Sequence, residues 1–168
     1  GDMEGAKQCY QRALTLDPNH PTATSNLGRL LAETGQPEQA IKLLRKLIKR
    51  LPNHTDARIN LGLAYRVSGK NVLAIQTFRD ALKLDDTLKL AHYNLGVLYF
   101  SEDAQRASAH LKDAIRLDPN FSEAHNNLAV LVEDQAPSRA AHHYREAIRS
   151  NPNNLQARRN LKQLLGQP

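Results

Sequence analysis

Five asparagines recur along this chain of 168 residues, Asn26, Asn60, Asn94, Asn127 and Asn160, at intervals of 34, 34, 33 and 33 residues. Each falls inside a stretch with helical periodicity, where asparagine is a mediocre helix former, so some other gain must offset its cost. A primary amide carries one carbonyl acceptor and two N–H donors, enough to pair with both the C=O and the N–H of one residue in an extended chain. One such amide per repeat is able to hold a peptide backbone with little regard to its side chains. The other role open to the same groups is a bond to a neighbouring helix.

The remaining reactive side chains offer less. Among the seven histidines, His20 and His54 read as turn residues, while His110, His142 and His143 fall in second helices. Adjacent His142 and His143 cannot face each other on a helix. There is no H-E-x-x-H run, cysteine pair or 2-His-1-carboxylate spacing, so each histidine is expected to be solvated or half-buried, and no metal or cofactor is implied. Cys9 has no nucleophile motif around it and is expected to pack. A single cysteine excludes an internal disulfide framework, which fits a reducing compartment. No glycine-rich phosphate loop is present either, so the chain is expected to have no catalysis of its own. It also lacks the long apolar run of a membrane span and the start of a secretory signal, which favours a soluble, cytoplasmic protein.

The net charge of +6 is concentrated in "IKLLRKLIKR" and in Arg158, Arg159 and Lys162. Lys42, Arg45, Lys46 and Lys49 share one helical stripe, which reads as a solvated face, with a patch for an anionic partner as the alternative. There is no Trp and few other aromatics, hence no stacking platform for single-stranded nucleic acid. Nucleic acid and membrane are therefore disfavoured as partners. Sequons at Asn53 and Asn120 are too few to distinguish from chance.

A period of 33 to 34 residues marks a stacked repeat array, whose apolar faces are buried only between neighbours. The units are 21–54, 55–88, 89–121 and 122–154, each with two helical patterns, preceded by a half unit over 1–20 and followed by a capping helix over 155–168. In the first helices the apolar stripe runs through Leu27 and Leu31, Leu61 and Tyr65, Leu95 and Tyr99, Leu128 and Val132, and Leu161 and Leu165. Beside it stand Gly28, Gly62, Gly96 and Ala129, where a bulky side chain would hold helices apart. Second helices repeat an alanine (Ala6, Ala40, Ala74, Ala107, Ala140) and, four residues on, a large residue (Tyr10, Leu44, Phe78, Leu111, Tyr144). Most then end in a proline that cannot continue the helix.

Leu-Gly-x-x-Tyr, then Ala-x-x-x-Phe, then Pro, at this period resembles the tetratricopeptide repeat. The resemblance covers essentially the whole chain and implies an all-α, right-handed α-solenoid of antiparallel helix pairs. The tryptophan frequent near the start of the family's unit is replaced by Thr24, Arg58, His92, His125 and Arg158. Asp86 replaces one proline, and units three and four are expected to lose one residue in the turns "SEDAQ" and "EDQAP". Gly1 matches a mid-unit turn, which suggests a piece of a longer protein, and Lys162, Gln163 and Gln167 give the last helix the polar face of a cap.

On a helical wheel the asparagines lie roughly 150° from the core stripe, which places them on the concave side of such an array. The pattern resembles the asparagine ladder of superhelical tetratricopeptide arrays such as those of O-GlcNAc transferase and kinesin light chains, and implies a backbone-holding role for all five. By the same resemblance Asp56 and Glu123, four residues earlier in their units, meet basic or hydroxyl side chains of a bound peptide. Acids in a first helical turn also favour the helix dipole. Ile59, Leu63, Val67, Leu90, Tyr93, Val97 and Phe100 form an apolar patch on the same face, able to bury partner side chains. The carboxylate-gripping type of array is disfavoured, because its slots hold Ser25, Arg29, Asn60, Leu90 and Asn94, of which only Asn60 fits.

The expected function is thus a non-catalytic protein-interaction scaffold whose groove binds an extended peptide. Two alternatives stand beside it. One is the substrate-recognition arm of a larger enzyme such as a glycosyltransferase. The other is a self-associating assembly module that pairs through the first helix, where Tyr10, Leu14 and Leu16 lack a covering partner.

Overall fold

The computed structural model describes residues 2–166, so the expectations for Gly1 and Gln167 lie outside the described residues. Ten α-helices and no strands are present among them. The packing divides the chain into two compact units, one ending at Asp86 and the other beginning at Thr87.

The first unit contains α1 (Met3–Leu16), α2 (Pro21–Glu33), α3 (Pro37–Arg50), α4 (Thr55–Val67) and α5 (Asn71–Leu84). Proline opens α2 and α3, where its missing N–H costs nothing and its φ is already helical. His20 and His54 are not passive turn residues. Their Nδ1 atoms accept the backbone N–H of Ala23 at 3.4 Å and of Ala57 at 3.2 Å, capping α2 and α4. Each of these helices then stops at a glycine in the left-handed region, Gly35 at φ 77° and Gly69 at φ 72°. The following N–H groups, of Gln36 and Lys70, reach back to Leu31 O and Tyr65 O at 2.8 and 2.9 Å, so the glycine closes the helix and reverses the chain.

The short turns make α2/α3 and α4/α5 antiparallel hairpins, and α4 packs on both α2 and α3. Gly28 and Gly62 permit the close approach: a Cβ there would sit 2.5 Å from Leu44 and 2.6 Å from Phe78, both fully buried. Truncating such a residue costs about 3–5 kcal/mol for Phe, which makes these contacts the energetic centre of the unit. By contrast α1, packed on α2, has no buried residue. Tyr10 and Leu14 are half covered and Leu16 is exposed. Cys9 is exposed rather than packed, because α1 meets a neighbour on one side only.

The second unit contains α6 (Lys89–Tyr99), α7 (Ala104–Leu117), α8 (Ser122–Val132), α9 (Pro137–Ser150) and α10 (Leu155–Leu164). The residue missing from each repeat is not lost from the turn. Helices α6 and α8 have 11 residues against 13 in α2 and α4, while the turns lengthen to span 100–103 and 133–136. These turns close with Asp103 N–H to Tyr99 O and Ala136 N–H to Val132 O, both 2.8 Å, and need no left-handed residue.

Three of the second helices, α1, α7 and α9, end where an Asx side chain bends the chain. Asp17, Asp118 and Asn151 accept the N–H of the residue two further on, at 2.9, 3.0 and 3.0 Å, while the proline between forbids another helical turn. Ser122 ties one repeat to the next, donating to Ala147 O and accepting from Asn154 Nδ2, both at 2.8 Å. Leu165, expected in the apolar stripe, is exposed. No helix among the described residues is long and apolar enough to cross a membrane.

Candidate peptide-binding face

The first helices carry every asparagine of the series, and stacking gives these amides partners that a wheel drawn on one helix omits. Asn60 is 7% exposed, and its Nδ2 donates to Ser25 O at 3.1 Å and to Ser25 Oγ at 2.9 Å on α2. In the second unit Asn127 Nδ2 donates to the Tyr93 hydroxyl at 3.4 Å, and Asn160 Nδ2 to Asn126 Oδ1 at 3.2 Å. In all three cases the acceptor precedes the asparagine position of the preceding repeat. The amide is therefore a rung between stacked first helices, and the outward orientation expected for Asn60 is corrected.

Asn94 departs from this rule. Its Nδ2 bonds Leu90 O of its own helix at 2.7 Å, and its Oδ1 is buried with no hydrogen-bond partner. At 3% exposure it too is buried rather than facing solvent. The residue in sequence register one repeat earlier is Ile59, whose side chain carries no acceptor. Asn26 is half-buried, with no hydrogen bond of its side chain among the described residues. Asn160 Oδ1 also accepts Gln156 Nε2 at 2.8 Å, and with Glu133 and Asp134 these two line a cleft of about 410 Å³ between α8 and α10.

The apolar patch is only partly where the sequence placed it. Ile59 is 5% exposed and belongs to the core, a correction that follows from the same stacking that buries Asn60. Leu63, Tyr93, Val97 and Phe100 are half-buried, while Val67 and Leu90 are exposed. The Tyr93 ring leans on Phe121 at 4.9 Å between centroids, and Lys89 Nζ lies over the Phe121 ring, 5.6 Å from its centroid. Asp56 and Glu123 are exposed in the first turns of α4 and α8, free to meet a cation. The four cations Lys42, Arg45, Lys46 and Lys49 line a separate groove of about 870 Å³, with Leu73 and Tyr65 in its walls.

Two histidine pairs were not legible as sites. His92 Nδ1 lies 3.2 Å from His110 Nδ1, and His125 Nδ1 lies 3.1 Å from His143 Nδ1. His92 and His125 are buried, which corrects the expectation of solvated or half-buried rings. The signal that would have found them is the shared 33-residue offset of both members, not any spacing within one helix.

The tetratricopeptide repeat profile matches residues 1–64 and 31–92, together more than half of the chain. No curated protein sequence matches. Several solved structures are similar. TTC0263, a thermophilic TPR protein of Thermus thermophilus, has a TM-score of 0.82 at 24% identity, over 97% of this chain and 90% of that one. MamA has a TM-score of 0.72 at 25% identity, over 93% and 92%. YrrB, described as a TPR protein with an unusual peptide-binding site, has a TM-score of 0.68 at 21% identity, over 96% and 84%.

Proposed function

The chain belongs to the tetratricopeptide repeat family, and from that premise we propose that it is a non-catalytic interaction module whose first-helix face holds an extended segment of a partner protein. The observation that carries this reading is Asn94. A buried amide oxygen with no partner costs about 1–3 kcal/mol, a cost relieved if the side chain turns from its bond to Leu90 O and accepts a peptide N–H at the surface of α6. Around it α6 presents Leu90, Tyr93 and Val97, apolar side chains that gain by being covered. Asn127 and Asn160 continue the amide series within the same unit, and exposed Glu123 adds a preference for a basic or hydroxyl side chain. In the first unit Asn26, Asp56 and Leu63 form the corresponding face, with Asn60 fixed behind them by Ser25. The same fold carries a peptide-binding site in YrrB.

The division of labour among the asparagines decides the experiment. Asn60 bonds across to Ser25, so its removal confuses stability with binding, whereas Asn94 bonds only to its own helix. Peptides selected from a displayed random library should be titrated against wild type, Asn94→Ala and Asn94→Ala with Leu90→Ala, with circular dichroism and melting measured alongside. Each lost hydrogen bond is worth about 0.5–1.5 kcal/mol, so the single change should weaken binding about threefold to tenfold and the pair further. Unchanged affinity in the double variant, with the fold intact, would remove the α6 face from consideration.

A further inference from the structure

The second unit holds a group of side chains that peptide binding leaves unused. His92 comes from α6, and His110 and Asp113 from α7, and their ligand atoms all lie within 4.8 Å of one another. We propose that His92 Nδ1, His110 Nδ1 and Asp113 Oδ2 form a site for one divalent cation of the late first-row class, represented by zinc, with water completing the shell.

The distances suit that cation. Two imidazole nitrogens bound to zinc at about 2.0–2.1 Å and a tetrahedral angle lie about 3.3 Å apart. His92 Nδ1 and His110 Nδ1 are 3.2 Å apart, so the pair is already set for a shared metal. Asp113 Oδ2 is 3.7 Å from His92 Nδ1, a few tenths of an ångström from the spacing of two ligands on one ion. His110 and Asp113 are three residues apart on α7 and share a face. Arg116 approaches Asp113 through Oδ1, at 3.3 and 3.4 Å, which leaves Oδ2 turned to the rings.

The surroundings support the same use. His92 is 8% exposed, while the Asp113 side chain is 41% exposed, giving a buried anchor and an entry path. The Tyr99 ring stacks on His110 at 5.9 Å and 10°, fixing the plane in which its lone pair points. Two nitrogens and one carboxylate favour zinc, nickel or copper over magnesium and calcium.

Proton balance is simple. Two neutral rings at this separation share one Nδ1–H, donated by one ring to the bare Nδ1 of the other. On binding, that proton moves through solvent to Nε2 of its own ring, both Nδ1 lone pairs face the cation, and no net proton is released from the neutral pair. The cation then ties α6 to α7, and stability rises with its free concentration by mass action.

The test is calorimetric titration of the untagged chain with Zn2+ in a non-coordinating buffer, repeated with Co2+ while its visible absorption is recorded. One equivalent per chain is expected, with a tetrahedral cobalt spectrum. His110→Gln and Asp113→Asn should each weaken binding by about tenfold or more. His143→Gln, in the neighbouring pair, should leave it unchanged. Asp113 is partly exposed and its change keeps the fold, which circular dichroism checks. Wild-type binding no tighter than that of His110→Gln and Asp113→Asn overturns the proposal, as does a loss caused instead by His143→Gln.

Discussion

The two histidine pairs of the second unit occupy the same register 33 residues apart and have nearly the same Nδ1 separation, yet their surroundings differ. Beside His92 and His110 the carboxylate of Asp113 is held loosely and turns an oxygen to the rings. Beside His125 and His143 the equivalent residue is Glu146, whose Oε2 is taken by Arg149 at 2.7 and 3.0 Å. His125 Nε2 faces Pro119 O at 3.1 Å and must donate to it, so in the neutral ring Nδ1 is bare and accepts the proton of His143 Nδ1. Arg116 and Arg149 share a register, so it is the extra methylene of Glu146 that brings its carboxylate closer to the arginine and takes the third side chain from a ring pair that is otherwise alike. Backbone register provides the two rings in both cases, and the third side chain decides what they do.

The comparison is broken most severely through the helix spacing that sets the first pair. A Cβ on Gly96 would lie 2.8 Å from Leu111, the residue after His110, whereas α8 already accommodates Ala129 at the equivalent place. Gly96→Val should force α6 off α7 and cost about 1–3 kcal/mol. Thermal melting should show the loss and a zinc titration should show the site weakened with it. A wild-type melting curve for this variant would mean that the glycine does not set the gap.

Acid should act on the other pair. His143 is pushed down to about 4, chiefly by burial, then by the charges of His125, His142 and Arg139, with Glu146 opposing. Burial also lowers His125. The folded chain therefore binds fewer protons than the unfolded one between the ordinary histidine value of about 6.5 and 4, so stability is full above that window and is lost as pH falls through it. The loss should amount to about 1–2 kcal/mol once the partial exposure of the ring is discounted. Melting followed from pH 7 to pH 4 should fall in wild type and flatten in His143→Gln. An equally steep fall in the variant would assign the acid sensitivity to other groups.

These pairs also show what a sequence of this kind reveals. The unit length, the apolar stripe and the replacement of tryptophan by His92 and His125 are all visible, because a repeat displays its register directly. The first histidine pair has no signature along a single helix, because His92 meets His110 across a hairpin, 18 residues away. The orientation of the asparagines is hidden for a related reason. A wheel drawn for one helix has no neighbour, and the acceptors that bury Asn60 and engage Asn127 and Asn160 are Ser25, Tyr93 and Asn126 of the adjoining repeat. That pattern is legible only when positions are compared one full period apart. The shortening of α6 and α8 is not legible in the sequence, because a deletion can be absorbed by helix or by turn, and the local residues do not distinguish the two.

A smaller effect separates the residues that follow each partner histidine. Leu111 is wholly apolar, whereas Tyr144 sends its hydroxyl to Glu133 Oε2 at 2.7 Å. Burial and this carboxylate hold the phenol well above its ordinary range, so it donates throughout neutral pH. Tyr144→Phe keeps the ring and removes the bond, and should lower stability by about 1 kcal/mol without moving the zinc titration. An unchanged melting temperature would show that water replaces the lost partner at no cost.

The smallest expected effect is the sharpest test of why the pairs differ. Arg149 and Glu146 form an exposed ion pair, of a kind that contributes little to stability, so Arg149→Ala should leave the melting temperature at neutral pH unchanged. The same substitution releases Glu146, whose charge raises the proton affinity of both His125 and His143, and removes a cation that lowers that of His125. The acid-induced loss should therefore be smaller, and the melting profile between pH 6.5 and 4 should become shallower than in wild type. A profile identical to wild type would mean that burial alone sets the second pair, and that the arginine is incidental to the contrast with Asp113.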